Sequence, residues 1–191
     1  MKTALLASYA KDEPLLRLAT ALTEAGWSLM GSAGTAKYLK ESGLVCIDVA
    51  DIVGPPILGH RVVTLAREIY AGLLATEADR AELETSRMRW IDLVYVTLYP
   101  LEATIADPAS TPDDVLEKTD IGGPTLLRAA AKGRRLTLSD PSHIDLLEAW
   151  LNAGSPESEH ESLVTKLAAA AERRVASYVA ASADYWESRV K

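Results

Sequence analysis

Short apolar runs alternate along the chain with longer stretches whose apolar residues recur every three or four positions. Thr3–Ser8 predicts a buried first strand. Pro14–Ala25, with Leu15, Leu16, Leu18, Ala19 and Leu22 at helical spacing, predicts a helix that Gly26 stops. Trp27–Met30 is a second short strand, and Gly31-Ser32-Ala33-Gly34-Thr35 is a glycine-rich turn leading into a helix over roughly Ala36–Ser42. Val45–Val49 is a third strand. This alternation predicts an α/β fold, a mostly parallel sheet covered by helices in a three-layer domain.

The middle of the chain is less regular. Asp51–Gly59 holds Gly54, Pro55, Pro56 and Gly59 and predicts a loop, while Arg61–Leu65 and Ile69–Ala75 fit no single period. Glu77–Met88 predicts a polar helix, Leu93–Leu98 the clearest strand, and Pro112–Lys118 a short acidic helix. Leu136–Leu138 is the last strand, and Ser142–Leu151 a helix capped by Ser142 or Asp140. Asn152–Ser162 is polar and reads as a linker, after which Leu163–Trp186 is one long alanine-rich helix. The expected organisation is therefore an α/β domain over 1–152, followed over 153–191 by a linker and a C-terminal helix. The Ala, Val and Tyr faces of that helix predict an interface, and hence a homodimer, unless they fold back onto their own domain.

Composition narrows the function. With 191 residues the chain can bury a sizeable core, and its formal charge of −7 excludes nucleic acid or an anionic membrane as the main partner. A single cysteine, Cys46, has no disulfide partner and predicts a cytoplasmic setting and a core position. The opening ALLASYA is too short for a signal segment, and no run approaches a membrane span. His60, His143 and His160 show no metal-ligand spacing.

The densest chemistry lies in Thr119–Lys132, TDIGGPTLLRAAAK. Asp120 precedes a Gly122-Gly123 pair that lets backbone N–H groups approach a ligand, and Pro124 suits a first helical turn. A helix start behind a glycine turn suits an anion. Spacing alone favours an ordinary strand–turn–helix joint, with Asp120 as its cap and Lys132 as a solvated cation at the helix end.

The run IDIGG-x-T-LLRAAAK is a hallmark of the IMP cyclohydrolase domain of the bifunctional AICAR transformylase/IMP cyclohydrolases, and TDIGGPTLLRAAAK resembles it at nearly every position. ALLASYAK resembles the family's first strand and phosphate-contacting turn, with Lys11 at its lysine. GSAGTAKYL resembles its second glycine turn, with Ser32, Gly34 and Thr35. TLYPL resembles NLYPF, placing Tyr99 on the catalytic tyrosine, and the C-terminal helix resembles the family's linker helix. One segment departs: HRVVTLAREIYAGLL stands where the family has GRVKTLHPKIHGGIL. Arg61 and Thr64 match, but Val63 replaces the active-site lysine and Ala66-Arg67-Glu68 replaces His-Pro-Lys.

The resemblance implies a methylglyoxal-synthase-like fold and ring closure of a formamidoimidazole carboxamide ribotide without metal or redox cofactor. It implies a small-molecule ribonucleotide as the partner. Asp120 would be the base, Tyr99 the donor to the formyl oxygen, and Lys132 a stabiliser of negative charge. Lys11, Ser32, Gly34, Thr35, Arg61, Thr64 and Gly122 would hold the substrate. The chain ends where the family's transformylase domain would begin, which implies a stand-alone module with no folate site. A paralogue acting on another heterocycle and a silent nucleotide-binding module are the rival expectations.

Overall fold

Each strand in the structure, a computed structural model describing residues 1–59 and 61–190, is followed by at least one helix. His60, one of the histidines without metal spacing, and Lys191 lie outside the described residues. Strand β1 is Thr3–Ser8, followed by α1 (Glu13–Glu24), whose cap is the Asp12 carboxylate accepting from the Leu15 N–H at 3.2 Å. Next come β2 (Ser28–Gly31), α2 (Ala33–Glu41), β3 (Cys46–Asp48) and a single turn, α3 (Ala50–Val53). Helices α4 (Arg67–Leu74) and α5 (Arg80–Thr85) precede β4 (Leu93–Thr97). Then follow α6 (Leu101–Ala106), α7 (Pro112–Glu117), α8 (Gly122–Lys132), β5 (Leu136–Leu138), α9 (His143–Asn152) and α10 (Glu157–Glu187).

The five strands pair in the order β3-β2-β1-β4-β5, all parallel. Alternation along each strand divides the core. Leu6, Leu29, Leu93, Leu136 and Leu138 pack with α1, α2 and α9 on one face. Leu5, Met30, Val94 and Val96 pack with α4, α7 and α8 on the other. The three-layer α/β expectation is met, with a sheet parallel throughout. Buried in β3, the Cys46 thiol is pushed up to about 11 by desolvation, which marks it as core rather than nucleophile.

Several expected boundaries move for local reasons. The loop expected over Asp51–Gly59 opens inside α3. The single helix expected over Glu77–Met88 is a 3₁₀ turn at Glu77–Asp79 followed by α5, because Thr76 and Asp79 cap each other reciprocally and fix the start. Of the two unassigned segments, Ile69–Ala75 falls largely within α4, which buries Ile69, Gly72 and Leu73. The expected linker Asn152–Ser162 shrinks to a few residues, since α10 starts at Glu157, where Glu157 and Glu159 favour the positive helix end.

Helix α10 folds back onto its own domain. Val164 and Leu167 join the first core layer, while Ala171, Val175, Tyr178 and Tyr185 join the second, so the helix passes from one layer to the other beside β5. That covers an edge strand. It also buries much of the apolar stripe from which a dimer was expected, while Val179 and Trp186 stay exposed. None of the described helices is long and apolar enough to cross a membrane.

The ends of α4 and α8 meet closely. Arg135, 6% exposed, donates from Nε to the Leu73 carbonyl at 2.9 Å and from Nη2 to the Ala75 carbonyl at 2.6 Å. Its guanidinium also lies 3.8 Å from the Trp90 ring centre. A Cβ on Gly133 would lie 1.9 Å from the Leu73 carbonyl oxygen.

Candidate active site

Because the chain runs outward from β1 to β3 and then returns to β4, the order reverses between β1 and β4. Ligands of parallel sheets sit beyond the carboxyl ends of the strands at such a point. Here a cavity of about 370 Å³ opens there, lined by the segments that follow β1, β2 and β4 and by the start of α8. Thr97 ties the two central strand ends together: its hydroxyl lies 2.7 Å from the Ser8 hydroxyl and accepts the Tyr9 N–H at 2.8 Å.

One end of the cavity is cationic. Lys11 reaches it from the β1–α1 turn, its ammonium donating to the carbonyls of Ser8 and Tyr9, and burial lowers its pKa. Ser32, Ala33 and Gly34 bring the positive end of α2 to the same place. The Ser32 hydroxyl does not cap that helix and instead lies 3.2 Å from the Thr35 hydroxyl. Thr35 is fully buried, accepting the Ser8 N–H at 3.1 Å, so it fastens α2 to β1 and does not line the cavity.

The other end is a carboxylate beside a phenol. Asp120 Oδ1 accepts the Gly123 N–H at 2.9 Å. Desolvation raises the Asp120 pKa, while N–H bonds from Gly123, Tyr99 and Gly122 pull the other way. The Gly-Gly pair is needed for contact. A Cβ on Gly123 would lie 2.4 Å from Asp120 Oδ2, and one on Gly122 3.1 Å from the Thr64 hydroxyl. Burial, Asp120, Glu117 and Tyr9 raise the Tyr99 pKa, which keeps its hydroxyl protonated at neutral pH. The Tyr9 and Tyr99 rings lie 5.0 Å apart, with the Lys118 ammonium 5.8 and 5.9 Å from their centres.

The sequence profile of the MGS-like domain matches residues 14–125, more than half the chain and most of the cavity. The chain belongs to the MGS-like domain family. It is 45% identical over 150 residues to the bifunctional purine biosynthesis protein PurH of Synechococcus sp. (strain WH7803), covering 75% of this chain and 28% of that one. To PurH of Bacillus cytotoxicus it is 36% identical over 191 residues, 97% of this chain and 37% of the relative. It thus spans about a third of the length of such curated relatives. The crystal structure of ForH superposes with a TM-score of 0.80 at 32% identity, covering 97% of this chain and 98% of ForH.

Within this MGS-like domain most of the expected site residues converge: Lys11, Ser32, Gly34, Arg61, Thr64, Tyr99, Asp120 and Gly122 all line the cavity. Lys132 does not. It is exposed at the far end of α8, about 15 Å of helix rise from Gly122, so the chain does not bring it to Asp120. Val63 lines the cavity as an apolar wall. Arg67, one of two arginines that could replace the missing lysine, faces a separate hollow with Tyr70 and Met88. That leaves Arg61, whose guanidinium already donates to Glu117 at 3.2 Å. Sequence reasoning missed Ser8, Tyr9 and Glu117. Their only signal is position, at the end of β1 and at the end of α7 beside the carboxylate turn.

Proposed function

We propose that this chain is an IMP-cyclohydrolase-like enzyme, closing the ring of a formamidoimidazole carboxamide ribotide by intramolecular amide attack and loss of water. The observation carrying this reading is that a half-buried carboxylate and a protonated phenol meet at one end of a cavity whose other end is cationic. The MGS-like fold and the purine-biosynthesis relatives support it.

The reacting arms belong to one molecule, so holding them in attack geometry supplies much of the rate. Asp120 takes a proton from the carboxamide nitrogen as that nitrogen bonds to the formyl carbon, and its raised pKa makes it a stronger base than an exposed aspartate. The formyl oxygen becomes negative and Tyr99 donates to it. In the second step the C–O bond breaks. The oxygen leaves as water, carrying the proton that Asp120 took up and the proton released by the former formamide nitrogen, so a C=N bond forms and Asp120 is again a carboxylate. Lys11 and the start of α2 hold the phosphate.

The assay is direct. Incubated with a panel of purine-precursor ribotides, the protein should close the formamidoimidazole carboxamide ribotide, seen as a change in ultraviolet absorbance. Val63 in the cavity favours a second reading, a paralogue acting on another heterocyclic ribotide, because the missing cation alters what charge the site can balance. Closure of a different panel member, with the formamido ribotide untouched, would select that reading.

The phosphate end can be tested separately. IMP should raise the melting temperature while inosine should do so far less; at a hundredfold excess over Kd the stabilisation is about 2.7 kcal/mol. Equal shifts would remove the phosphate from the assignment.

A further inference from the structure

The loop carrying Asp120 is held from an unexpected direction. Between α7 and α8, the Asp120 N–H donates to the Tyr178 hydroxyl at 2.8 Å, and that hydroxyl donates to the Lys118 carbonyl at 2.9 Å. Tyr178 lies on α10, 58 residues beyond Asp120, and is 1% exposed. One hydroxyl therefore closes two backbone groups of a three-residue segment, using its donor and acceptor capacity together. Burial pushes the phenol up to about 12, so it remains a donor across the working pH range. Around it stand Asp120 on the loop side and, on the other, Arg174, 5.4 Å from its ring centre and paired with Glu102 of α6.

We propose that Tyr178 is a positioning residue of the active site, its hydroxyl fixing the 118–120 backbone so that the Asp120 carboxylate faces the cavity. This rests on the reading of Asp120 as the base. The carboxylate is anchored on its far side by the Gly123 N–H. Tyr178 anchors the near side, so the aspartate is held between a helix start and a helix 58 residues away. Without the hydroxyl, the Asp120 N–H and the Lys118 carbonyl both lose a partner. The segment then relaxes toward water to satisfy them. A small displacement of a base from its attack line is costly, about a hundredfold for one ångström.

A tyrosine that merely packs α10 would affect stability alone, so the test separates the two roles. Tyr178→Phe keeps the ring and removes the hydroxyl. Val175→Ala, one turn earlier in the same buried face, loosens the helix without touching the loop. Tyr178→Phe should lower kcat for ring closure about tenfold to a hundredfold with KM nearly unchanged. Val175→Ala should lower the melting temperature and leave kcat alone.

A second readout does not need turnover. In carbon-13 NMR, with Asp120→Asn identifying the signal, Asp120 should titrate above the usual aspartate range in the parent. In Tyr178→Phe it should move toward the ordinary value as the carboxylate gains water. A folded Tyr178→Phe with the Asp120 titration unchanged would overturn the proposal. If the titration moves while the parent closes no ring, the positioning stands and the cyclohydrolase reading falls.

Discussion

Asp120→Asn should lower kcat for ring closure by about 10²–10⁴, the usual contribution of a positioned general base. The amide keeps nearly the same shape and can still accept the Gly123 N–H, so IMP binding through Lys11 and α2 should survive. The pH profile gives the sign. Asp120 must be ionised to accept a proton, and its pKa lies above 3.8 because burial penalises the charge. Activity in the parent should therefore climb as pH rises through that raised value. It should fall again only where Tyr99, displaced upward from 10, loses its proton. In Asp120→Asn the acidic limb should flatten while the alkaline limb persists. A variant within tenfold of the parent, with the acidic limb intact, would mean another group removes the proton.

The largest effect on stability should come from Gly133→Ala. The backbone φ of Gly133 is −76°, which any residue can adopt, so conformational freedom does not require glycine there. Space does. The added methyl would stand 1.9 Å from the Leu73 carbonyl oxygen, the same oxygen that accepts from buried Arg135. Backbone of α4 would have to move away from α8, breaking the seat that Arg135 makes for the α4 terminus. We expect a cost of about 3 kcal/mol or more, or about 6–12 °C in melting temperature at roughly 2–4 °C per kcal/mol. Gly26→Ala makes the contrast: its φ is +79° but nothing stands within 4 Å of the new methyl. Only the left-handed strain remains, about 1–2 kcal/mol. If Gly133→Ala melted no lower than Gly26→Ala, the contact between α4 and α8 would be looser than the structure has it.

What was legible in the chain was local. Thr3–Ser8 and Leu136–Leu138 are read to the residue, because an apolar run between polar neighbours has one comfortable place in a buried parallel sheet. Gly133 ends α8 because a neighbouring carbonyl leaves no room for a side chain, and the left-handed position falls to Arg134. Helix α6 went unread. Among its residues only Leu101 is buried, so it carries too short an apolar stripe to recognise. The site was legible where a motif is contiguous, as with Asp120 and Gly122. It was illegible where two strand ends must first lie side by side, as with Ser8 and Thr97. Lys132 shows the converse, since a residue close in a motif can lie a helix length away. Tyr178 could not be singled out, because in an alanine-rich helix one buried tyrosine looks like any other.

The two ends of the cavity are assembled from very different lengths of chain. Lys11, Ser32 and Gly34 lie within the first 34 residues, between the end of β1 and the first turn of α2. The segment bearing the carboxylate is clasped by a hydroxyl that the ribosome adds 58 residues after Asp120. A growing chain therefore completes the residues of its cationic end long before the hydroxyl that holds the Asp120 loop is made, which arrives only with the last helix.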